Sequence, residues 1–198
     1  GARALGMGGA FTGLADDATA VFYNPAGISA FEDNQIHASH ASLSFDRNFN
    51  YVAMAFPVKK GETAWGLSYT RFSVDGIPET RVVNGTNTPI TDAAGNVQIF
   101  SLFDDIEDNF VVSYAWKATE KMRVRANARL LHAELFRQEA NGQGLDLSML
   151  YQVNKDLRLG FSARDLASGI RWNFSQHRDI VPFTLTAGAS LRGWKDAI

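Results

Sequence analysis

Arg123, Arg125, Asn127 and Arg129 alternate with Val124, Ala126, Ala128 and Leu130. A strand there would set cations on one face and apolar groups on the other. Arg158, Arg164 and Arg192 fall on the polar faces of two later alternating stretches. Cations crowded on one inner face need counter-charges. Asp146, with Asp16 or Asp17 from the N-terminal stretch, is expected to supply some of them. The chemistry this allows is holding: ion pairs that lock an N-terminal segment against a wall. The alternative is that the arginines pair only with wall residues or solvent.

Other chemistry is poorly served. The absence of cysteine in 198 residues removes disulfides, thiolate catalysis and the common zinc sites together. Asp104, Asp105, Glu107 and Asp108 form an acidic loop end, but their spacing is not that of an EF-hand, and a solvated loop is the plainer reading. His37 and His40 would point to opposite faces of a strand, which makes them poor joint metal ligands. No nucleophile elbow or metalloprotease motif is present. Gly6, Gly8 and Gly9 loosely suggest a dinucleotide fingerprint, yet no strand precedes them and no βαβ unit follows. A net charge of −2 leaves no basic footprint for nucleic acid. The expectation is a protein that is not an enzyme and uses no cofactor or metal.

The elements that must position the charged residues are strands. Period-two alternation is clear over 64–72, 110–117, 123–131, 144–153, 157–164 and 183–192, and weaker over 35–45 and 51–58. That makes about eight strands, most near the roughly 9–11 residues of a tilted transmembrane strand. Short turns at 59–62, 119–121 and 154–156 alternate with expected long loops at 73–108, 136–143 and 166–181. Outer-membrane barrels have this asymmetry, with short turns on the periplasmic side. Lys59, Lys60, Lys121, Lys155 and Lys195 all fall on that side. No run of about 18 apolar residues exists, so a membrane could be crossed only by a closed barrel.

One strand face is large and apolar, with Trp65, Trp116 and Tyr151 toward strand ends as in an interfacial girdle. The other face is Gly, Ala, Ser, Thr and Arg, which suits a crowded interior better than open water. The alternative is a soluble lipocalin-like barrel, which would turn the large apolar side chains inward.

Ahead of the strands, residues 1–33 are glycine-rich, weakly amphipathic and poor in strand pattern. Asp16 is placed to cap a short helix running through Asp17, Ala18, Ala20, Val21 and Phe22. Asn24 is placed to cap a second turn that opens on Pro25. The run GARALGMGGAF, the stretch LADDA and Phe22-Tyr23-Asn24-Pro25-Ala26-Gly27 resemble the N-terminus of the FadL-like superfamily of outer-membrane barrels, most closely its PorV/PorQ-like (UPF0164-type) branch. Residues 69–78, 144–151, 154–161 and 181–185 fit the same pattern in order.

The resemblance implies an all-β, transmembrane antiparallel β-barrel of roughly fourteen strands. Its N-terminal hatch contains short helical turns, with Asn24, Pro25, Ala26 and Gly27 at the core. Residues 1–33 would be the hatch and 34–198 the barrel strands. With only about eight of those strands, and opening on Gly1 without Met, the chain is expected to be an N-terminal portion of a longer one. The implied function is uptake of hydrophobic small molecules such as long-chain fatty acids across the bacterial outer membrane. The alternatives are a PorV-like accessory barrel of a type IX-like secretion machine, which would receive secreted proteins, or a structural barrel without cargo. The expected partners are outer-membrane lipid and a hydrophobic ligand such as a fatty acid or detergent.

Overall fold

The computed structural model describes residues 2–8, 10–17, 19–174 and 178–192. Gly9, Ala18 and Lys195, which figure in the sequence reading, lie outside the described residues. The chain is all-β: one antiparallel sheet curls into a half-barrel, preceded by a few short helical turns.

The sheet path is β1 (Gln35–Leu43), β2 (Arg47–Lys59), β3 (Thr63–Thr80), β4 (Ile99–Lys117), β5 (Met122–Leu135), β6 (Gln138–Gln152), β7 (Leu157–Arg164) and then β10 (Thr184–Leu191). Each strand pairs with its neighbour in sequence up to β7. The small strands β8 (Gly169–Trp172) and β9 (Arg178–Ile180) form a side hairpin on the upper part of β6. All eight expected strands lie on the main path.

The connections differ from expectation. Half of 73–108 is strand, because β3 and β4 continue pairing as far as Thr80 and Ile99. The segment 136–143 is a tight turn at Phe136-Arg137, with Phe136 at φ 58°, followed directly by β6. The stretch 166–181 holds β8 and β9. In these regions polar and large apolar residues, such as Leu102 beside Phe103 and Ile170 near Trp172, mix without a clean period of two. Hydrophobic alternation therefore goes blank while the backbone ladder continues, and periodicity cannot see it.

The two faces of the sheet have opposite composition and opposite exposure. On the concave face Ala53, Ala55, Ala64, Ser113 and Ala115 are fully buried. On the convex face Trp65, Leu130, Leu147, Phe161 and Leu185 are left open, Leu185 at 71 %. This is the reverse of a lipocalin-type barrel, in which large apolar groups fill the interior. The convex apolar band has a sharp limit on the side away from the hatch. His40, Asn50, Arg71, Asp108, His132, Asn141 and Arg171 are successive register partners across the sheet. Within this row Asn50 Oδ1 lies 2.8 Å from His40 Nδ1, and Asn141 Oδ1 lies 3.0 Å from His132 Nδ1. Arg71 donates to both oxygens of Asp108, at 2.8 and 2.7 Å.

The N-terminal segment lies against the concave face. It comprises α1 (Ala2–Gly6), α2 (Ala20–Tyr23) and a 3-10 turn at Pro25–Ala30. Its apolar side chains Phe11, Val21, Ala26, Ile28 and Phe31 are buried, most of them in one cluster with Ala53, Ala55, Ala64 and Ala115 of the wall. A segment this short has no core of its own, so burial against the wall supplies most of its order.

Candidate functional site

Pro25 fixes φ for the first residue of a helical turn and needs no N–H partner there, while Asn24 before it is pushed out of the helical region. Asn24 accordingly sits at φ −152°, ψ 86°, and its Oδ1 accepts from Ala26 N at 3.3 Å. The cap expected at Asn24 is thus present. The cap leaves the amide Nδ2 free to act elsewhere. It donates to Thr12 O at 2.8 Å and to Met149 O of β6 at 3.1 Å. Asn24 is fully buried, so one side chain joins its own turn, the turn around Thr12 and the wall.

The wall is notched to receive it. A Cβ on Gly160 of β7 would lie 2.1 Å from Thr12 O and 3.0 Å from Asn24 Nδ2. On the hatch, a Cβ on Gly27 would lie 1.8 Å from Ala15 O. Both contacts are with backbone, which cannot swing aside, so the hatch seats only where these glycines stand. Gly27 belongs to the expected motif; Thr12 and Gly160 do not. Gly160 carries no sequence signal beyond being a glycine inside a strand pattern, which marks a close backbone approach.

Two wall arginines reach the hatch through carbonyl and hydroxyl oxygens. Arg158 Nη1 donates to Leu14 O at 2.8 Å. Arg123 Nη1 donates to Ser29 Oγ at 3.1 Å and to Gly61 O at 2.9 Å. The ion pair expected from Asp16 or Asp17 to a wall arginine is not formed: both carboxylates pair with Arg3 inside the hatch itself. Arg3 and Asp16 are both about half exposed, so such a pair contributes at most about 1 kcal/mol. Asp16 does not cap α2 either. The N-cap is Thr19, and Asp17 accepts from Thr19 N at 2.9 Å. Partial burial works against the charged form of Asp17, but donation from Thr19 and Arg3 outweighs it and holds the carboxyl below the usual range.

Above the Asn24 contacts, a polar layer crosses the wall. Asp146 lies 3.6 Å from Arg129, accepts from Asn127 Nδ2 at 3.0 Å and accepts from Asp165 N at 3.0 Å. Arg129 also pairs with Asp165 at 2.8 Å. Asp165 was not among the expected residues; its signal was its place at the end of a strand opposite the Asp146 region. Arg125 is 3 % exposed and held by two long bonds, to Ser148 Oγ at 3.3 Å and Ser113 Oγ at 3.4 Å. Its Nε has no partner among the described residues. Arg164 closes β7 opposite Thr184. Arg192 is exposed just beyond β10, with its backbone N bonded to Asp156 O at 2.8 Å, and takes no part in the layer.

The acidic run 104–108 is strand rather than loop and splits between faces, as alternation requires. Asp108 joins Arg71 on the convex side, while Asp105 and Glu107 open onto a concave-side cavity of about 520 Å³ beyond the polar layer. No cluster of potential metal ligands occurs among the described residues. On the opposite side of the hatch, a polar cavity of about 340 Å³ is lined by Asp16, Gly27, Arg123 and Arg158. The larger cavity is lined by Phe49, Phe72 and Trp172 together with Asp105, Glu107 and Arg129, and the smaller one borders the N-terminal segment.

A curled antiparallel sheet with small and polar residues on its concave side, against which the N-terminal segment packs, and large apolar residues on its convex side defines a barrel-like all-β protein. The chain belongs to the uncharacterised protein family UPF0164, whose model matches residues 1–130. That span takes in the hatch and the sheet as far as the middle of β5. No curated protein and no solved structure matches the chain.

Proposed function

We propose that this chain forms the hatch-bearing part of a FadL-like outer-membrane barrel, of the PorV/PorQ-like branch, that admits hydrophobic small molecules. The observation that carries the reading is the convex apolar band, bounded on one side by the row from His40 to Arg171 and on the other by Lys59, Lys60, Lys121 and Lys155. In water such a band would cost free energy; against lipid it is the favourable arrangement. Cargo would enter the larger cavity and pass when the hatch shifts at Asn24. No reaction is required.

Leu147 lies in the middle of the band, 52 % exposed. Its replacement by arginine is expected to lower folding stability in bilayers by about 2–4 kcal/mol, and the same change outside the band by far less. Denaturant titration in lipid vesicles reads this, and an unchanged midpoint would contradict the membrane assignment. Uptake itself is tested with full-length protein in liposomes and a neutral long-chain fluorescent alcohol. Faster entry than into protein-free liposomes is expected, and entry at the protein-free rate would remove the transport reading.

One feature favours the secretion alternative. The β3–β4 ribbon runs past the ends of β2 and β5, and carries Ile99 and Leu102 58 % and 66 % exposed. Exposed apolar groups on a projecting ribbon suit protein docking. Membrane insertion with no uptake would turn the assignment toward that role.

A further inference from the structure

The uptake reading leaves the head group of the cargo open, and the concave chamber carries specific information about it. Phe49, Phe72, Glu107, Ala133, Ala140 and Trp172 are successive register partners along one row of the concave face. The row sets aromatic rings on both sides of a carboxylate. Between Glu107 and Trp172 stand two alanines, Ala133 at 9 % exposure and Ala140 fully buried. Ala133 borders the cavity beside Glu107, where its small side chain leaves a trough, while Ala140 is covered and lies outside the lining. The resulting cavity of about 520 Å³ lies within the range of roughly 300–1,000 Å³ typical of small-molecule sites.

The charges around the trough do not cancel. Arg129 is committed to Asp165 and Asp146 at its floor. Asp108 is committed to Arg71 on the convex face. Asp179 accepts from Trp172 Nε1 at 2.6 Å, which also fixes the indole plane. Asp105 and Glu107 remain, with no hydrogen-bond or ion-pair partner among the described residues and with each other as the neighbouring charge. A fatty carboxylate entering here would meet like charge. A cationic head group at Glu107 would meet two carboxylates, with the Phe72 ring on the neighbouring strand and Phe49 and Trp172 farther along the same cavity, a setting that suits an ammonium ion better than an anion.

The geometry points to a site for single-chain amphiphiles with an ammonium head group, the head between Glu107 and the aromatic rings and the tail along Leu131 and Leu135. The inference rests on the uptake reading and narrows its cargo to cationic rather than anionic lipids.

The test uses full-length protein in lipid nanodiscs, with partition into empty discs subtracted. Equilibrium dialysis compares radiolabelled dodecyltrimethylammonium, dodecanoate and dodecanol. The cation is expected to bind about tenfold more tightly than dodecanoate, the size of one partly solvated charge and cation–π contribution. Glu107→Gln is expected to remove most of that preference without changing dodecanol binding, and Glu107→Lys to reverse it. Dodecanoate bound as tightly as the cation, or a preference untouched by Glu107→Gln, would overturn the inference while leaving the uptake reading standing. Failure of all three compounds to bind would remove both.

Discussion

Replacing Asn24 with alanine is expected to detach the hatch from the wall without unfolding the sheet. The change deletes the donor to Thr12 O and Met149 O and the acceptor for Ala26 N, all inside a dry interface. Three modest hydrogen bonds, with the penalty of stranding buried partners, amount to about 2–4 kcal/mol. The strand ladder on either side does not depend on Asn24, so the loss should fall on residues 12–31 alone. Hydrogen exchange is the direct measurement: protection across that segment should fall by roughly thirty- to a thousandfold, following the same free energy, while β3 to β5 stay protected. Gly160→Ala should act in the same direction by a different route, since its Cβ would meet Thr12 O and overpacking costs about 1–3 kcal/mol. Unchanged exchange in both variants would mean that the hatch is held by its apolar cluster alone.

The second large effect concerns the polar layer, where two substitutions are expected to differ in sign. Asp146→Ala removes the anion shared by Arg129, Asn127 and the backbone of Asp165. It leaves buried cations short of counter-charge, which typically costs about 3–5 kcal/mol. Arg125→Met removes a cation that is 3 % exposed and held only by serine hydroxyls at 3.3 and 3.4 Å. Replacing such a group with an apolar one of similar length is expected to be neutral, or to stabilise by about 1–4 kcal/mol. Denaturant titrations of the two variants side by side decide the matter. An Arg125→Met protein as unstable as Asp146→Ala would show that Arg125, too, is fully compensated in place.

These outcomes bear on how the chain encodes its site. The arginines at 123, 125 and 129 were readable as sharing one face because each sits an even number of residues from the next within one strand. Their partners were not. Asp16 lost its expected role because Arg3, folded back through α1, reaches it first. Arg123 and Arg158 found main-chain oxygens instead of carboxylates. Pairing between residues more than a hundred positions apart depends on where the hatch comes to rest, and no local pattern encodes that distance.

Asn24 shows the division within a single residue. Its role as a cap follows from its own type and from the proline after it, because φ and ψ are set by adjacent atoms. The same holds for the strands: alternation between faces is a property of extended backbone, so both faces could be drawn before any contact was known. Which face would be buried was legible only as crowding by small residues. That Nδ2 of Asn24 meets Met149 O, that Gly160 is the notch beneath Thr12, and that Glu107 faces Trp172 across two alanines are matters of register and curl. Those contacts arise from closing distances over many strands at once. Hydrogen-bond pairing and close packing decide them together, and neither is written in any short stretch of the chain.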